Sequence, residues 1–304
     1  MIKFFQKRKT IVTHDSSFHA DDLFACATLK ILYPNAKIIR TRDEKIIQKG
    51  DIVLDVGEIY DEDKKRFDHH QKEGAGFHDI DTSIPYASFG LIWKNFGLEI
   101  CGGDKDVWRK IEKNIVLPID ATDNGVSTIN LIGNVSPYFA PETFLAFSPS
   151  WKEDKSNIDK IFLEQVEKVK TLLLREIKVA KDDIDGERLL EKAYQDAEDK
   201  RFLIVDVNMP RPLYQGYLPV KSEVCFLIYP SSDKKSWKAE SIRADFGTMN
   251  SRRYFPQNWR GLGEEKLREV TGIDDAIFCH RAGFLVMAET FESVKKMVEI
   301  ALQN

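Results

Sequence analysis

One run of six residues, Arg66-Phe67-Asp68-His69-His70-Gln71, constrains this chain more than any other stretch. It places a carboxylate and two imidazoles in consecutive positions, and it holds two of the six histidines. One oxygen donor beside two nitrogen donors suits Mn²⁺, Fe²⁺ or Zn²⁺ better than Ca²⁺. Adjacent side chains on a strand point to opposite faces, so we expect only one of His69 and His70 to face a given metal. A polar surface turn is the alternative interpretation.

Two strands predicted upstream of this run are also followed by imidazole or carboxylate side chains. The strand predicted at Thr10–Thr13 leads into a polar loop, and the strand predicted at residues 51–57 is apolar after Asp51 except for Asp55 near its end. Open α/β sheets bind ligands at the carboxyl ends of their strands, so these positions are candidate metal ligands. The alternatives are a helix cap at Asp21 or Asp22 and an Asx-turn at Asp55. The candidate donors of the first loop are His14, His19, Asp21 and Asp22.

Two more carboxylates, Asp120 and Asp123, follow a helix predicted at residues 104–116. A helical turn would place them on one face, although Asp-Asn-Gly is equally a turn signal. Together the segments supply enough donors for two adjacent metal ions, an arrangement that favours hydrolysis at phosphorus. The set comprises His14, His19, Asp21, Asp55, Asp68, His69 and one or both of Asp120 and Asp123.

The patterns predict an α/β protein in two lobes: a mostly parallel sheet with flanking helices, and a smaller α+β carboxyl-terminal lobe that closes over the substrate. We assign residues 1–150 to the metal-binding catalytic domain, 151–200 to a helical connector and 201–304 to a substrate-binding domain. Arginine forks match phosphate oxygens, although most surface arginines have no such role. The candidate phosphate contacts are Arg243, Arg252, Arg253, Arg260, His280 and Arg281. Tyr254, Phe255 and Trp259 are candidates for base stacking or for local core.

The amino-acid composition limits the classes of partner that this chain is expected to bind. The formal net charge of -4 gives no overall basic field, so a polyanionic partner must be held by local groups. No apolar run reaches the length of a membrane span, and we expect no membrane partner. The widely spaced cysteines indicate buried thiols in a reducing compartment, which favours a cytoplasmic location. The basic residues between Met1 and Lys9 leave an organellar or nuclear address open.

The order of these motifs is similar to that of the DHH phosphoesterase superfamily. Their individual residues resemble those of the melanocyte-proliferating-gene family, whose members are described as metal-dependent hydrolases and 3′-to-5′ RNA exonucleases. One departure concerns the first motif, which in other DHH proteins is His-x-x-x-Asp-x-Asp. Here His19 stands in place of the first aspartate, which leaves the choice of metal open. The matching segments are Thr13-His14 to Phe18-His19-x-Asp21, Asp51-Ile-Val-x-Asp55-Val-Gly57, Arg66-x-Asp68-His69-His70-Gln71, Ile119-Asp120-Ala-x-Asp123-Asn124-Gly125, Trp259-Arg260-Gly261-Leu262 and His280-x-x-Gly283-Phe284.

The resemblance implies a 3′-to-5′ exonuclease that hydrolyses single-stranded RNA or a short oligonucleotide by attack of metal-bound hydroxide. It implies two divalent ions, with Mn²⁺ favoured over Mg²⁺ or Zn²⁺, and it assigns Asp68, His69 and His70 to catalysis, with His70 contacting the substrate. One alternative is a hydrolase of pyrophosphate or of a short or cyclic oligonucleotide. Another is a non-catalytic RNA-binding or regulatory protein with a structural metal, although structural zinc sites are usually rich in cysteine. A homodimer is an open alternative.

Overall fold

The computed structural model describes residues 8–129 and 138–303, so most of the basic start lies outside the described residues. The chain divides into two compact units, Met1–Lys181 and Asp182–Asn304. One five-stranded sheet lies in each unit, and helices accompany both sheets. The α/β class predicted from the sequence is therefore confirmed.

The sheet of the first unit has the strand order β2-β1-β3-β5-β4. Its strands are β1 (Thr10–Thr13), β2 (Lys37–Arg40), β3 (Ile52–Leu54), β4 (Tyr60–Asp61) and β5 (Arg66–Phe67). Isoleucine and valine dominate β1 and β3, as expected of buried parallel strands. Strands β2, β1, β3 and β5 run parallel, and β4 alone pairs antiparallel, at one edge. Because parallel strands point the same way, the residues after β1, β3 and β5 meet at one edge of the sheet.

The helices of the first unit are α1 (Ala20–Leu32), α2 (Glu44–Ile47), α3 (Ser88–Ile92), α4 (Leu98–Ile100), α5 (Lys105–Ile111), α6 (Leu117–Asp123) and α7 (Glu142–Leu145). A π-helical segment, Trp93–Gly97, joins α3 to α4, and a second, Glu112–Val116, joins α5 to α6. Helix α1 begins directly after the polar loop of β1. Its Phe24 ring lies 5.5 Å from that of Phe89 in α3, which fixes both helices beside the sheet edge.

Helix α8 (Ile158–Asp196) is the longest element, and the boundary between the units falls within it. The second unit continues with β6 (Phe202–Ile204), α9 (Arg211–Tyr217), β7 (Phe226–Pro230), β8 (Trp237–Ser241), α10 (Glu264–Thr271), β9 (Ala276–Cys279), β10 (Leu285–Ala288) and α11 (Phe291–Gln303). The strand order is β6-β7-β8-β10-β9, with only β6 and β7 parallel.

Two aromatic residues proposed for base stacking belong to the core of the second unit. Phe255 is fully buried and Trp259 is 3% exposed, and both pack in a cluster with Phe226 and Met297. Local core is therefore the correct interpretation of that pair. Among the described residues, no helix combines the length and the apolar composition that a membrane crossing requires.

Candidate metal centre

Imidazoles and carboxylates converge at the carboxyl edge of the first sheet. His14 follows β1, and its Nε2 lies 3.2 Å from Asp22 Oδ2 and 3.2 Å from Asp55 Oδ2. Asp55 follows β3. Its Oδ1 lies 3.5 Å from Nε2 of His69, which is itself 3.3 Å from Asp123 Oδ2. Strand order thus brings together side chains that are up to 109 positions apart, from His14 to Asp123.

The described residues contain three groups whose donor atoms are close enough together to hold a metal ion. They are Asp55-His69-His70, His14-Asp22-Asp55 and Asp21-His69-Asp123. Asp55 belongs to two of these groups, and so does His69. Shared members make the groups adjacent, so the cluster has the donors for two neighbouring cations.

Three atoms at the centre of the cluster are buried without a hydrogen-bond partner: Asp22 Oδ2, Asp55 Oδ1 and His69 Nε2. A buried polar atom that makes no hydrogen bond costs free energy, and native folds rarely leave several of them together. Carboxylate oxygen and imidazole nitrogen are the donors that Mn²⁺ and Zn²⁺ accept. The donor set and its unpaired atoms therefore fit a divalent cation.

The electrostatics of the cluster reflect crowded negative charge. Burial lowers the pKa of His14, but the neighbouring carboxylates of Asp22 and Asp55 outweigh burial and raise it to about 10. Burial likewise lowers the pKa of His69, and Asp123 and Asp55 raise it to about 11. The pKa of the Asp21 carboxyl is well above its usual range because of burial and the neighbouring carboxylates. Such a site favours any cation that can replace the protons.

The backbone aims two of these side chains. Asp55 has a φ of 54°, in the left-handed region that non-glycine residues rarely adopt and that is concentrated at functional sites. His14 Nδ1 donates to the carbonyl oxygen of Asp15 at 2.8 Å. That bond fixes the tautomer with its proton on Nδ1, so Nε2 is the atom offered to the cluster.

Asp21 and Asp22 have separate tasks at the start of α1. Asp22 Oδ1 accepts from the backbone N–H of His19 at 2.8 Å, which forms part of a capping box, while its Oδ2 faces His14. Asp21 accepts from the N–H groups of Ser88 and Phe89 at the start of α3. Neither aspartate is the N-cap, which is His19, but Asp22 closes the capping box and also belongs to a candidate metal group. Sequence reasoning placed Asp22 among the donors of the first loop but not in the two-metal set, because a capping residue and a ligand have the same signature there.

The Asp-His-His run differs from expectation, since β5 ends at Phe67 and the two histidines do not alternate along a strand. Their rings lie 4.3 Å apart, and both face Asp55. Asp68 lies outside the three groups. Its Oδ2 accepts from Glu58 N at 2.6 Å, and its Oδ1 accepts from the N–H groups of His69 and His70 and from His70 Nδ1 at 2.7 Å. Asp68 thus holds the turn and aims His70.

Asp120, another predicted ligand that lies outside the three groups, is fully buried. Its Oδ2 accepts from His78 Nε2 at 2.8 Å and from Ala87 N, and its Oδ1 accepts from Gly90 N. A Cβ on Gly90 would lie 1.9 Å from Asp120 Oδ2, so this contact requires glycine. His78 also lies 3.5 Å from the buried Glu112. Neither His78 nor Glu112 stands in a recognisable motif, and no sequence signal selected them.

A cavity of about 560 Å³ opens onto the cluster. Its lining includes the buried His14 and Asp55 and the exposed His19 and His70, together with Arg42, Glu44 and Glu58. The His19 ring lies 5.7 Å from that of His14 and outside the three metal groups. The exposed ring of His70 is thus held by Asp68 at the boundary between the cluster and solvent.

The phosphate candidates lie in the second unit, near the turn between β9 and β10. Arg260 Nε donates to Phe255 O at 3.0 Å, and its guanidinium lies 5.3 Å from the Tyr254 ring centroid. Gly283 has a φ of 72°, in the left-handed region that favours glycine, and a Cβ there would lie 2.5 Å from Arg260 Nε, so a larger residue would displace that side chain. The ring of His280 lies 4.3 Å from that of Phe284.

The other arginines of that set have varied surroundings. Arg281 is exposed in the same turn, and Arg243 follows β8. The guanidinium of Arg252 donates to the carbonyl oxygens of Pro219, Lys221 and Val224, which occupies it in holding the loops of the second unit.

Comparison with known proteins finds similarity along nearly the whole chain. Residues 10–302 match the MYG1_exonuc profile, described as "Uncharacterised protein family (UPF0160)". The MYG1 protein of Schizosaccharomyces pombe is 32% identical over 96% of this chain and 97% of its own length. The MYG1 exonuclease of Homo sapiens is 28% identical, covering 96% of this chain and 85% of the relative. A solved pGpG-specific phosphodiesterase from Vibrio cholerae has 12% identity and a TM-score of 0.32 over 97% of both chains.

Proposed function

Because this chain belongs to the MYG1 family, UPF0160, we propose that it is a metal-dependent phosphodiesterase of the DHH type that removes nucleotides from the 3′ end of single-stranded RNA. The observation that carries the proposal is the set of buried, unpaired donor atoms of Asp22, Asp55 and His69 at the carboxyl edge of a parallel sheet. The name exonuclease given to mammalian relatives agrees with it.

The residues divide into two neighbouring cation sites in this proposal. His14, Asp22 and Asp55 would hold one ion, and Asp21, His69 and Asp123 the other, with Asp55 beside both. Asp123, not Asp120, is the ligand from α6, because Asp120 is occupied by His78 and two backbone N–H groups. When bound, a pair of divalent ions lowers the pKa of a water molecule and neutralises charge on the attacking and leaving oxygens. Mn²⁺ suits the mixture of carboxylates and imidazoles.

The chain's own residues supply orientation and proton transfer. Asp68 accepts from His70 Nδ1, which raises the pKa of His70 and leaves its Nε2 edge toward the cavity. His70 is thereby placed to protonate the leaving oxygen of the substrate. Asp68 acts through His70 and is a positioning residue in this scheme. His19, at the mouth of the cluster, is placed to contact the phosphate.

Charge balance explains why further cations are needed. The carboxylates of the groups, Asp21, Asp22, Asp55 and Asp123, would together balance two divalent ions. Neutralising the RNA phosphates then falls to arginine and lysine side chains. Arg260, Arg281, Arg243 and His280 of the second unit are proposed for this task, since guanidinium groups bind phosphate bidentately.

The test uses the full chain stripped of metal. Mn²⁺, Mg²⁺ or Zn²⁺ is restored singly, and each sample is incubated with RNA labelled at its 5′ end, with the matching DNA and with pyrophosphate. The proposal expects a ladder of RNA products shortened from the 3′ end, strongest with Mn²⁺ and lost on addition of chelator. An Asp55→Asn variant should not produce this ladder of shortened RNA. Hydrolysis of pyrophosphate alone would support a small-substrate hydrolase, and turnover that survives chelation would refute the metal-dependent mechanism.

A further inference from the structure

We propose that a second, apolar cavity on the other side of the cluster binds the terminal nucleoside of the substrate through its base. This cavity has a volume of about 350 Å³. Its apolar wall consists of Pro118, Ile119, Phe139, Pro141 and Leu145. We call this wall, with the space it encloses, the apolar pocket. The inference rests on the proposed function and adds a recognition site to it.

The apolar pocket opens directly onto the candidate metal ligands. Asp21 and Asp123 line its inner end, and His19 lines both this pocket and the cavity that contains His70. The cluster therefore separates two cavities of different character. The larger one is bordered by Arg42, Glu44 and Glu58. The smaller one is bordered mostly by aliphatic and aromatic side chains, with Thr122, Thr128 and Glu142 beside them. If a phosphodiester of the RNA is held at the cluster, the two parts of the chain that it joins would lie one in each cavity.

Size and chemistry decide which part lies in which cavity. Small-molecule pockets span about 300 to 1,000 Å³, so the apolar pocket lies at the lower end and suits one nucleoside better than a chain. A nucleobase is a flat apolar ring system with polar edges, whereas the next phosphates of the RNA need water or cations. The terminal base therefore belongs in the apolar pocket, and the remaining chain in the larger cavity.

This placement agrees with the bond that is cut. Hydrolysis adds water across the bond between phosphorus and the O3′ of the penultimate nucleoside. The phosphate stays on the 5′ oxygen of the released nucleotide, and the shortened chain keeps a 3′ hydroxyl. With the phosphate at the cation that Asp21, His69 and Asp123 would hold, and the base in the apolar pocket, the occupant at product release is a nucleoside 5′-monophosphate.

Contacts within the first unit hold the wall in place. The ring of Phe144 in α7 lies 6.0 Å from that of Phe24 in α1, in an edge-on arrangement, which fixes α7 beside the helix that carries Asp21. Thr122 Oγ1 donates to Pro118 O at 2.8 Å within α6. Phe139 is 41% exposed, a large apolar surface that a stacked base would cover.

The experiment compares two ligands that share a phosphate and differ in the base. Binding of adenosine 5′-monophosphate and of ribose 5-phosphate to the full chain is measured by isothermal titration calorimetry, without metal and with Mn²⁺ restored. We expect the nucleotide to bind at least tenfold more tightly, because base stacking on an aromatic side chain accounts for about that ratio or more. Phe139→Ala and the space-filling Leu145→Trp should each remove most of the difference.

Phe147→Ala is the matched control, since Phe147 is 52% exposed and does not line the pocket. It should keep the wild-type ratio, and circular dichroism should show all variants folded. Equal binding of the two ligands, including undetectable binding of both, would overturn the inference. A preference for the nucleotide that survives both pocket variants would also overturn it. Base-dependent binding without RNA hydrolysis would refute the proposed function and leave the pocket standing, whereas RNA hydrolysis with equal binding would do the reverse.

Discussion

Replacing Asp68 with asparagine tests whether this residue holds the turn or acts in chemistry. Oδ1 of Asp68 accepts hydrogen bonds from the N–H groups of His69 and His70 and from the His70 ring. In Asp68→Asn the amide oxygen takes the place of Oδ1 and can still accept these bonds. The new amide nitrogen takes the place of Oδ2 and faces the N–H of Glu58, which now donates at 2.6 Å. Two donors then meet, and the negative charge that strengthened every bond is lost.

The size of the effect follows from these contacts. Asp68 is 1% exposed, so water cannot take over. A hydrogen bond to a charged group contributes about 1.5 to 3 kcal/mol, and a buried donor left unsatisfied costs about 1 to 3 kcal/mol. We expect the free energy of unfolding of the first unit to fall by about 3 kcal/mol. For a unit of this length the melting temperature should drop by roughly 6 to 12 °C, at about 2 to 4 °C per kcal/mol.

The assay is thermal and urea unfolding of the metal-free chain, followed by circular dichroism and by tryptophan fluorescence. Because the metal is removed first, any loss of stability reflects the hydrogen bonds of the turn and not weaker binding of metal. Asp63→Asn, which changes an exposed carboxyl in the same segment, is the control and should stay within about 0.5 kcal/mol of wild type. If Asp68→Asn is as stable as that control, the four hydrogen bonds do not hold the turn and our assignment of Asp68 as a positioning residue is wrong.

Three further outcomes are expected. Asp123→Asn should lower Mn²⁺ affinity at least tenfold in calorimetry, and Asp120→Asn should lower that affinity much less. Asp120→Asn should instead cost the metal-free chain about 2 to 3 kcal/mol of stability because Asp120 accepts three hydrogen bonds; equal losses of Mn²⁺ affinity would refute the distinction. Burial lowers the pKa of His78, but the carboxylates of Asp120 and Glu112 outweigh burial and raise the pKa to about 8. The charged His78 therefore stabilises the fold by up to about 2 kcal/mol below pH 6.5, and this contribution is lost as the pH rises through 8. The difference in unfolding free energy between wild type and His78→Gln should shrink over that window, and a difference that does not change with pH would contradict the prediction. Arg260→Ala should weaken RNA turnover by the equivalent of about 1.5 to 3 kcal/mol and affect a one-phosphate ester less, and unchanged RNA kinetics would remove Arg260 from the substrate contacts.

Sequence reasoning located the centre of the first unit because strand ends leave a strong pattern. An apolar run that stops at a carboxylate, as at Asp55, is expensive to bury unless the carboxylate has a partner. The strands predicted to end before His14 and at Asp55 share one edge of a parallel sheet, so these two residues could be grouped with His69 of the Asp-His-His run from the sequence alone. The mostly parallel sheet and the long helix α8 followed from periodicity in the same way.

The distinction between Asp120 and Asp123 could not be made from the sequence. Both lie on one face of α6, and spacing alone treats them alike. What separates them is tertiary: the N–H of Gly90, thirty positions away, reaches Asp120 because glycine has no side chain to keep them apart. His78 escaped selection for the same reason, since its partners Asp120 and Glu112 are set by packing and not by neighbours in the chain.

The π-helical segment Glu112–Val116 bears on how related sequences should be aligned with this one. A π turn contains one residue more than an α turn, and it commonly arises as a single insertion in an α-helix. Losing a residue inside this segment would restore an ordinary turn and keep Asp120 and Asp123 on their present face. The same deletion within α5, or in α6 before Asp120, would rotate everything beyond it by about 100° and turn both carboxylates away. A one-residue gap is therefore harmless within Glu112–Val116 and disabling a few positions to either side.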